Sequence, residues 1–308
     1  MKPVKVLLSG GSGLIGSALA EALYFQSITT LRLVRHRPEP ARGLVRWDPR
    51  ASNLDQFLAS IPESFLPLDA AIHLSGANVA GRRWTSAYRR ELRESRLATT
   101  QALCRMLISL PQPPRVLVCA SAIGIYGNRG DEILDESSRP GQGFLADLCR
   151  EWEQAAQLAE EAGIRVIHLR FGVVLSKSGG ALAMLLPIFK LGIGGKLGNG
   201  RQWMSWVSLT DVVRAILFAV ETDGLRGPIN VVSPNPVTNA AFTQTLGHVL
   251  HRPTILPVPA PALRLAFGEM AEETMLASMR VVPMRLSDAG FRFQHEAIEP
   301  ALGAVLAD

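Results

Sequence analysis

Apolar residues along this chain alternate between two patterns, and the alternation is regular as far as residue 172. The run Val4-Lys5-Val6-Leu7-Leu8 breaks into Ser9-Gly10-Gly11-Ser12-Gly13-Leu14-Ile15-Gly16 and then into a helix-like segment ending near Gln26. Short apolar runs recur at residues 31–34, 44–47, 69–77, 116–121 and 166–171, each bounded by turn residues and each read as a strand. Between them, residues 50–68 read as surface helix and loop. Residues 85–110 show helical spacing up to the break at Pro111, and 145–161 read as a helix closed by Gly163. Strands that are apolar on both faces, separated by helices, imply a parallel sheet with right-handed crossovers. Beyond Gly172 the rhythm changes: glycines punctuate 179–200 and prolines cluster between Pro228 and Pro261. Helices are expected near 210–222, 239–250 and 261–279, and Ile229-Asn230-Val231-Val232 predicts a strand that returns to the main sheet. The expected architecture is α/β, with a doubly wound parallel sheet over residues 1–172 and a smaller substrate-side lobe over 173–308.

The first strand, glycine turn and helix add chemistry to this plan. Gly10, Gly13 and Gly16 fall three apart, so one can make the tight turn, one can let the backbone approach a pyrophosphate, and one can let helix pack closely on strand. Phosphates would sit on the amides at the helix N-terminus. Gly10, Gly11, Ser12, Gly13, Leu14, Ile15 and Gly16 are therefore cofactor-binding candidates in a Rossmann-like domain. Glycines also close turns that bind nothing, and the second strand adds weight against that alternative. It ends in Arg35 where a dinucleotide fold inspects the adenosine ribose; an acid there would bind the hydroxyls of NAD, whereas Arg35, His36 and Arg37 suit a 2′-phosphate. NADP(H) is the expected cofactor and Arg35 its main reader, while a solvated loop describes His36 and Arg37 better. The strand at 69–77 brings Leu74, Ser75, Gly76 and Ala77 to the carboxyl edge of the sheet, where ligands bind. His73 within it reads as a packed core histidine. Arg89, Arg90 and Arg93 form a solvated or interface face, compatible with a homodimer, and Arg96 lies on the helix expected to pass the cofactor.

Composition narrows the picture. With 308 residues, 47% hydrophobic and 19% charged, the chain can bury a full core. It starts directly in a strand, without a signal-like segment, and no apolar run approaches a membrane span, so a cytoplasmic location is expected. Cys104, Cys119 and Cys149 lack metal-ligand spacing and read as reduced core residues, and no metal site is expected. The net charge of +5 is spread out rather than gathered into basic runs with aromatics, which points to an anionic small molecule rather than nucleic acid. Arg201, Gln202 and Trp203, in the glycine-rich segment beyond the sheet, are expected to face that substrate; the alternative is that Trp203 and Trp206 seal the two lobes.

The chain resembles the extended short-chain dehydrogenase/reductases, also called the NAD-dependent epimerase/dehydratase superfamily. The motifs are the glycine turn, residues 69–76, Ser121-Ala122-Ile123-Gly124-Ile125-Tyr126-Gly127 and Trp206-Val207-Ser208-Leu209-Thr210-Asp211-Val212. Arg83-Trp84-Thr85, Ser95-Arg96, Phe144-Leu145-Ala146, Trp152-Glu153, Gly198-x-Gly200-Arg201-Gln202-Trp203 and Gly290-Phe291 resemble more narrowly its atypical "epimerase family protein" branch, some of whose members carry a cell-division-inhibitor label. The resemblance implies a carbinol or carbonyl reaction run by a Tyr-x-x-x-Lys pair beside a Ser or Thr. None of the five lysines has a tyrosine four residues before it; Phe144 and Leu148 stand at the family positions, and Ala122 at that of the hydroxyl. Tyr126, with Ser121, is the remaining catalytic candidate, and a packed residue with a hydrogen-bonded hydroxyl is the alternative. Asp131, Glu132, Asp135 and Glu136 read as solvated loop. Two functions stay open: an NADP-dependent oxidoreductase or epimerase-like enzyme acting on a small, anionic or nucleotide-sugar substrate, and a catalytically silent NADP-binding sensor or partner-binding protein.

Overall fold

The computed structural model describes residues 4–50 and 54–307. Among these, seven strands form the central sheet: β1 (Lys5–Ser9), β2 (Thr29–Val34), β3 (Leu44–Arg46), β4 (Ala70–His73), β5 (Val116–Ala122), β6 (Arg165–Phe171) and β7 (Gly227–Val231). Their order across the sheet is β7-β6-β5-β4-β1-β2-β3, and every pairing is parallel. The chain winds outward from β1 to β3, then crosses back to β4 and winds the other way. A crevice therefore opens at the carboxyl ends of β1 and β4, the switch point of such a sheet.

Both faces of the sheet are covered, which is why its strands are mostly apolar. On one face Leu8, Ile72, Val118 and Leu169 pack against Leu19 and Leu23 of α1 (Leu14–Phe25) and against Val212 and Ile216 of α7 (Leu209–Glu221). On the other face Leu7, Leu33, Ala71 and Leu117 meet Leu103 and Leu107 of α3 (Ser86–Ile108). A short helix, α2 (Leu54–Ala59), lies within the 50–68 segment, of which residues 51–53 fall outside the description. The segment expected as one helix at 145–161 is two, α4 (Phe144–Gln154) and α5 (Gln157–Glu161). The amide of Ala155 is shared between Glu151 and Trp152, and the bonds tighten to i→i+3 where Ala156 is pressed into the core.

Three helices, α6 (Gly180–Lys190), α8 (Asn239–Val249) and α11 (Ile298–Ala307), form a separate apolar cluster around the buried indole of Trp206. Helix α6 lies in the segment read as glycine-punctuated and carries Pro187 internally, a residue that breaks the usual helix signal. The helix expected at 261–279 is shorter: α9 (Ala260–Phe267) stops at Gly268, whose φ of 62° no helix continues, and a π-turn follows at Ala271–Met275. A short helix α10 (Met284–Asp288) packs on β7. No helix among the described residues is long and apolar enough to cross a membrane.

The C-terminal segment is tied to the sheet by one carboxylate. Ser208 caps α7 by accepting from the Asp211 amide, and the fully buried Asp211 accepts from the Ser208 hydroxyl (2.9 Å), from Arg214 (2.8 Å) and from the backbone amides of Gln294 (2.7 Å) and His295 (2.9 Å). Asp211→Ala strands those buried donors and is expected to cost about 3 kcal/mol in urea unfolding, whereas the half-exposed Arg214→Met should cost about 1 kcal/mol or less.

Candidate functional site

The three glycines of the first turn do different work. Gly10 has a φ of 83°, and a Cβ there would lie 2.6 Å from the Leu74 carbonyl carbon. A Cβ on Gly16 would lie 2.1 Å from the Gly10 oxygen. Both positions are closed by the protein's own backbone. Gly13 is not: it is exposed, and the nearest atom to its Cβ position is 3.5 Å away, an ordinary contact. Nothing in the fold closes that position to a side chain, and the bare backbone leaves the helix end open to close approach from outside. Gly13 is the N-cap of α1, makes no side-chain cap, and the first turn holds no acid. The amides of Leu14, Ile15 and Gly16 thus lack intrahelical partners at the positive end of the helix, an arrangement that fits a pyrophosphate.

The opposite wall is the turn after β4. Ser9 and Ser75 share a hydrogen bond of 2.6 Å across the ends of β1 and β4. Ser95 accepts from the Ala77 amide (3.0 Å). Arg96 lies beneath this turn: its guanidinium donates to the carbonyls of Ala77 (3.0 Å) and Leu92 (3.1 Å), stacks on Trp152, and would touch a Cβ on Gly76 at 3.3 Å. Arg96 therefore shapes the Gly76–Ala77 wall from below. Arg35 is exposed directly after β2 and makes no hydrogen bond or salt bridge among the described residues.

His73 is fully buried. Thr100 gives its proton to the Arg96 carbonyl (2.7 Å), so the 3.1 Å bond to the histidine is donated by Nε2, and Nδ1 has no partner. Burial holds the ring neutral, its pKa pushed down to about 4 from 6.5. The unfolded chain takes up this proton as pH falls below 6.5 and the folded chain does not until about 4, so the stabilisation is complete above 6.5 and lost across that window. Linkage gives a loss of about 2 kcal/mol at pH 5 relative to pH 7.5, and urea titrations of His73→Gln should show a correspondingly flatter dependence.

Ser121 and Tyr126 are brought together, but inside the protein. The Tyr126 side chain is fully buried; its hydroxyl donates to Asn230 Oδ1 (2.8 Å) and accepts from Arg170 Nη1 (2.9 Å). Arg170 in turn holds Glu153 with two bonds of 2.8 Å, and Ser121 donates to the same carboxylate (2.7 Å). Burial raises the phenol above its ordinary value, with Arg170 opposing. This is the arrangement of a packed, hydrogen-bonded tyrosine. Phe144 turns edge-on to Trp84, between Arg89 and Arg93, and Leu148 is buried. A carboxylate nevertheless sits against the backbone at position 144, because Glu273 from the π-turn accepts from the amides of Phe144 (2.8 Å) and Leu145 (2.7 Å) and so caps α4.

On the substrate side the three expected residues part company. Arg201 is exposed. Gln202 is buried, its amide donating to the carbonyls of Leu197 (3.1 Å) and Met275 (3.0 Å). Trp203 is clamped, with Arg280 stacked 4.2 Å from its ring and its indole N–H donated to Asp131 (2.9 Å). The acidic loop is only partly solvated: Asp131 and Glu132 are exposed, whereas Glu136 accepts from the amides of Asn230 (2.9 Å) and Arg285. The loop folds back onto β7 because that edge strand has backbone donors to satisfy. The three cysteines are free and buried, with thiol pKa values raised by burial, and the described residues contain no metal-binding cluster.

Fold and turn together define a doubly wound α/β protein with a dinucleotide-type anion site. Residues 6–232 match the NAD dependent epimerase/dehydratase family, and residues 258–305 match a domain of unknown function, DUF1731. An epimerase family protein of Mycobacterium tuberculosis is 44% identical over 97% of this chain and 96% of its own, and the human epimerase family protein SDR39U1 is 33% identical over 99% of each. The crystal structure of that human protein with NADPH superposes with a TM-score of 0.89 at 31% identity, over 98% of this chain and 99% of its own. The chain belongs to the NAD-dependent epimerase/dehydratase family.

Proposed function

We propose that the protein is an NADP(H)-dependent oxidoreductase or epimerase-like enzyme acting on a small, anionic or nucleotide-sugar-like substrate. The observation that carries the reading is Gly13, bare and exposed at an uncapped helix N-terminus, with Arg35 at the end of the neighbouring strand. The human relative crystallised with NADPH supports the cofactor. The amides of Leu14 to Gly16 would hold the pyrophosphate, Arg35 the 2′-phosphate, and the Leu74–Ala77 wall the ribose. When bound, the nicotinamide would accept or supply a hydride at the carboxyl ends of β4 and β5. Three free buried cysteines are in keeping with a cytoplasmic location.

The proton step departs from the family's usual arrangement. Tyr126 is buried with a raised pKa, and an ordinary phenol near ~10 is already a poor base at neutral pH. With Tyr126 so placed, a water or the substrate itself would carry the proton. The same residues support a second reading, a silent NADP(H) sensor.

NADPH is expected to bind about ten- to a hundredfold more tightly than NADH, the worth of charge-assisted contacts. Arg35→Ala should narrow the gap while leaving the unfolding midpoint in place; equal titration midpoints in the parent protein would sink the cofactor reading. A screen of carbonyl compounds and sugar nucleotides for NADPH oxidation separates the two functions. Turnover that survives Tyr126→Phe supports an enzyme that bypasses that hydroxyl, and tight NADPH binding with no turnover on any compound supports the sensor.

A further inference from the structure

β2 carries a charge in its interior. Arg32 lies between the buried Leu31 and Leu33 and is paired in register with Leu8, three residues before Gly11. Alternation turns its side chain to the opposite face from those leucines, toward the phosphate turn. Its Nη2 donates to the Gly11 carbonyl at 3.2 Å, and a Cβ on Gly11 would stand 3.1 Å from its Nε and 3.4 Å from Nη2. The missing side chain at position 11 is what lets the guanidinium reach the turn. The Nε is buried and has no hydrogen-bond partner, and Arg32 forms no salt bridge among the described residues.

The half-buried guanidinium is only partly answered by the protein. A guanidinium has five donors, and here Gly11 takes one. Arg35 follows three residues later, at the end of the same strand and also without a carboxylate partner among the described residues. Two arginines without carboxylate partners among the described residues thus lie three residues apart, one within β2 against the turn and one just past the strand's end. That combination answers a dianion better than a neutral diol.

We infer that Arg32 is a second reader of the cofactor's 2′-phosphate, closing on it from the turn side while Arg35 closes from the strand end. The inference rests on the NADP(H) reading. A guanidinium that only braced the turn would support NADPH and NADH alike, whereas one that reads the phosphate supports only the first.

The test is the pair of dissociation constants for NADPH and NADH, measured by calorimetry on the full chain and on Arg32→Met, which keeps the apolar stem and loses the charge. NADPH affinity should fall about tenfold, with NADH affinity within about twofold of the parent. 2′,5′-ADP against 5′-ADP should repeat the contrast without the nicotinamide. Should the Met variant fail to fold, Arg32→Lys carries the comparison, with an intermediate loss expected because a point charge replaces the fork. Equal losses for both cofactors, or an unchanged preference, overturn the role given to Arg32. A parent protein that does not prefer NADPH fails one step earlier, at the cofactor reading.

Discussion

The buried pair of Glu153 and Arg170 ties helix α4 to the central sheet through charge-assisted hydrogen bonds. Two charges taken out of water are tolerated only where each finds full hydrogen bonding. Here Ser121 of β5 adds to the carboxylate, and Tyr126 and Asn230 extend the chain to β7 and on to the Val282 carbonyl. Four elements distant in sequence are thereby fixed in register by polar groups with directional demands. Apolar burial drives the collapse of the sheet and its helices, and the network restricts which arrangement that collapse can take.

At the two positions where the resemblance expects the tyrosine and the lysine, Phe144 and Leu148 leave no gap. Phe144 is absorbed into a cluster with Trp84 and Met270, and the N-terminus of α4 is neutralised by Glu273 reaching over from the π-turn.

Much of this was legible in the chain. The strands read correctly because a sheet buried on both faces writes itself as uninterrupted Val, Leu, Ile and Ala, and the glycine spacing announced the turn. Helix ends were harder, since Gly268 marks a stop whereas the break at Ala155 is set by pressure from the core, and Pro187 disguised α6. Arg32 and Arg170 were visible as charges inside apolar strands, a signal that each has a buried partner or a ligand. Glu273 was not legible: its bond to Phe144 spans 129 residues, and no local pattern marks a carboxylate that caps someone else's helix.

Gly10 takes its conformation against the carbonyl of Leu74, so the phosphate turn is a long-range structure despite its compact sequence. A nascent chain carries the whole glycine motif well before β4 is synthesised, yet the wall that shapes the turn is not made until β4 has paired with β1. Parallel pairings of this kind form slowly because their loops must close first. Ability to retain a nucleotide therefore depends on the crossover to β4, and marks chains that have made it rather than chains that merely contain the motif.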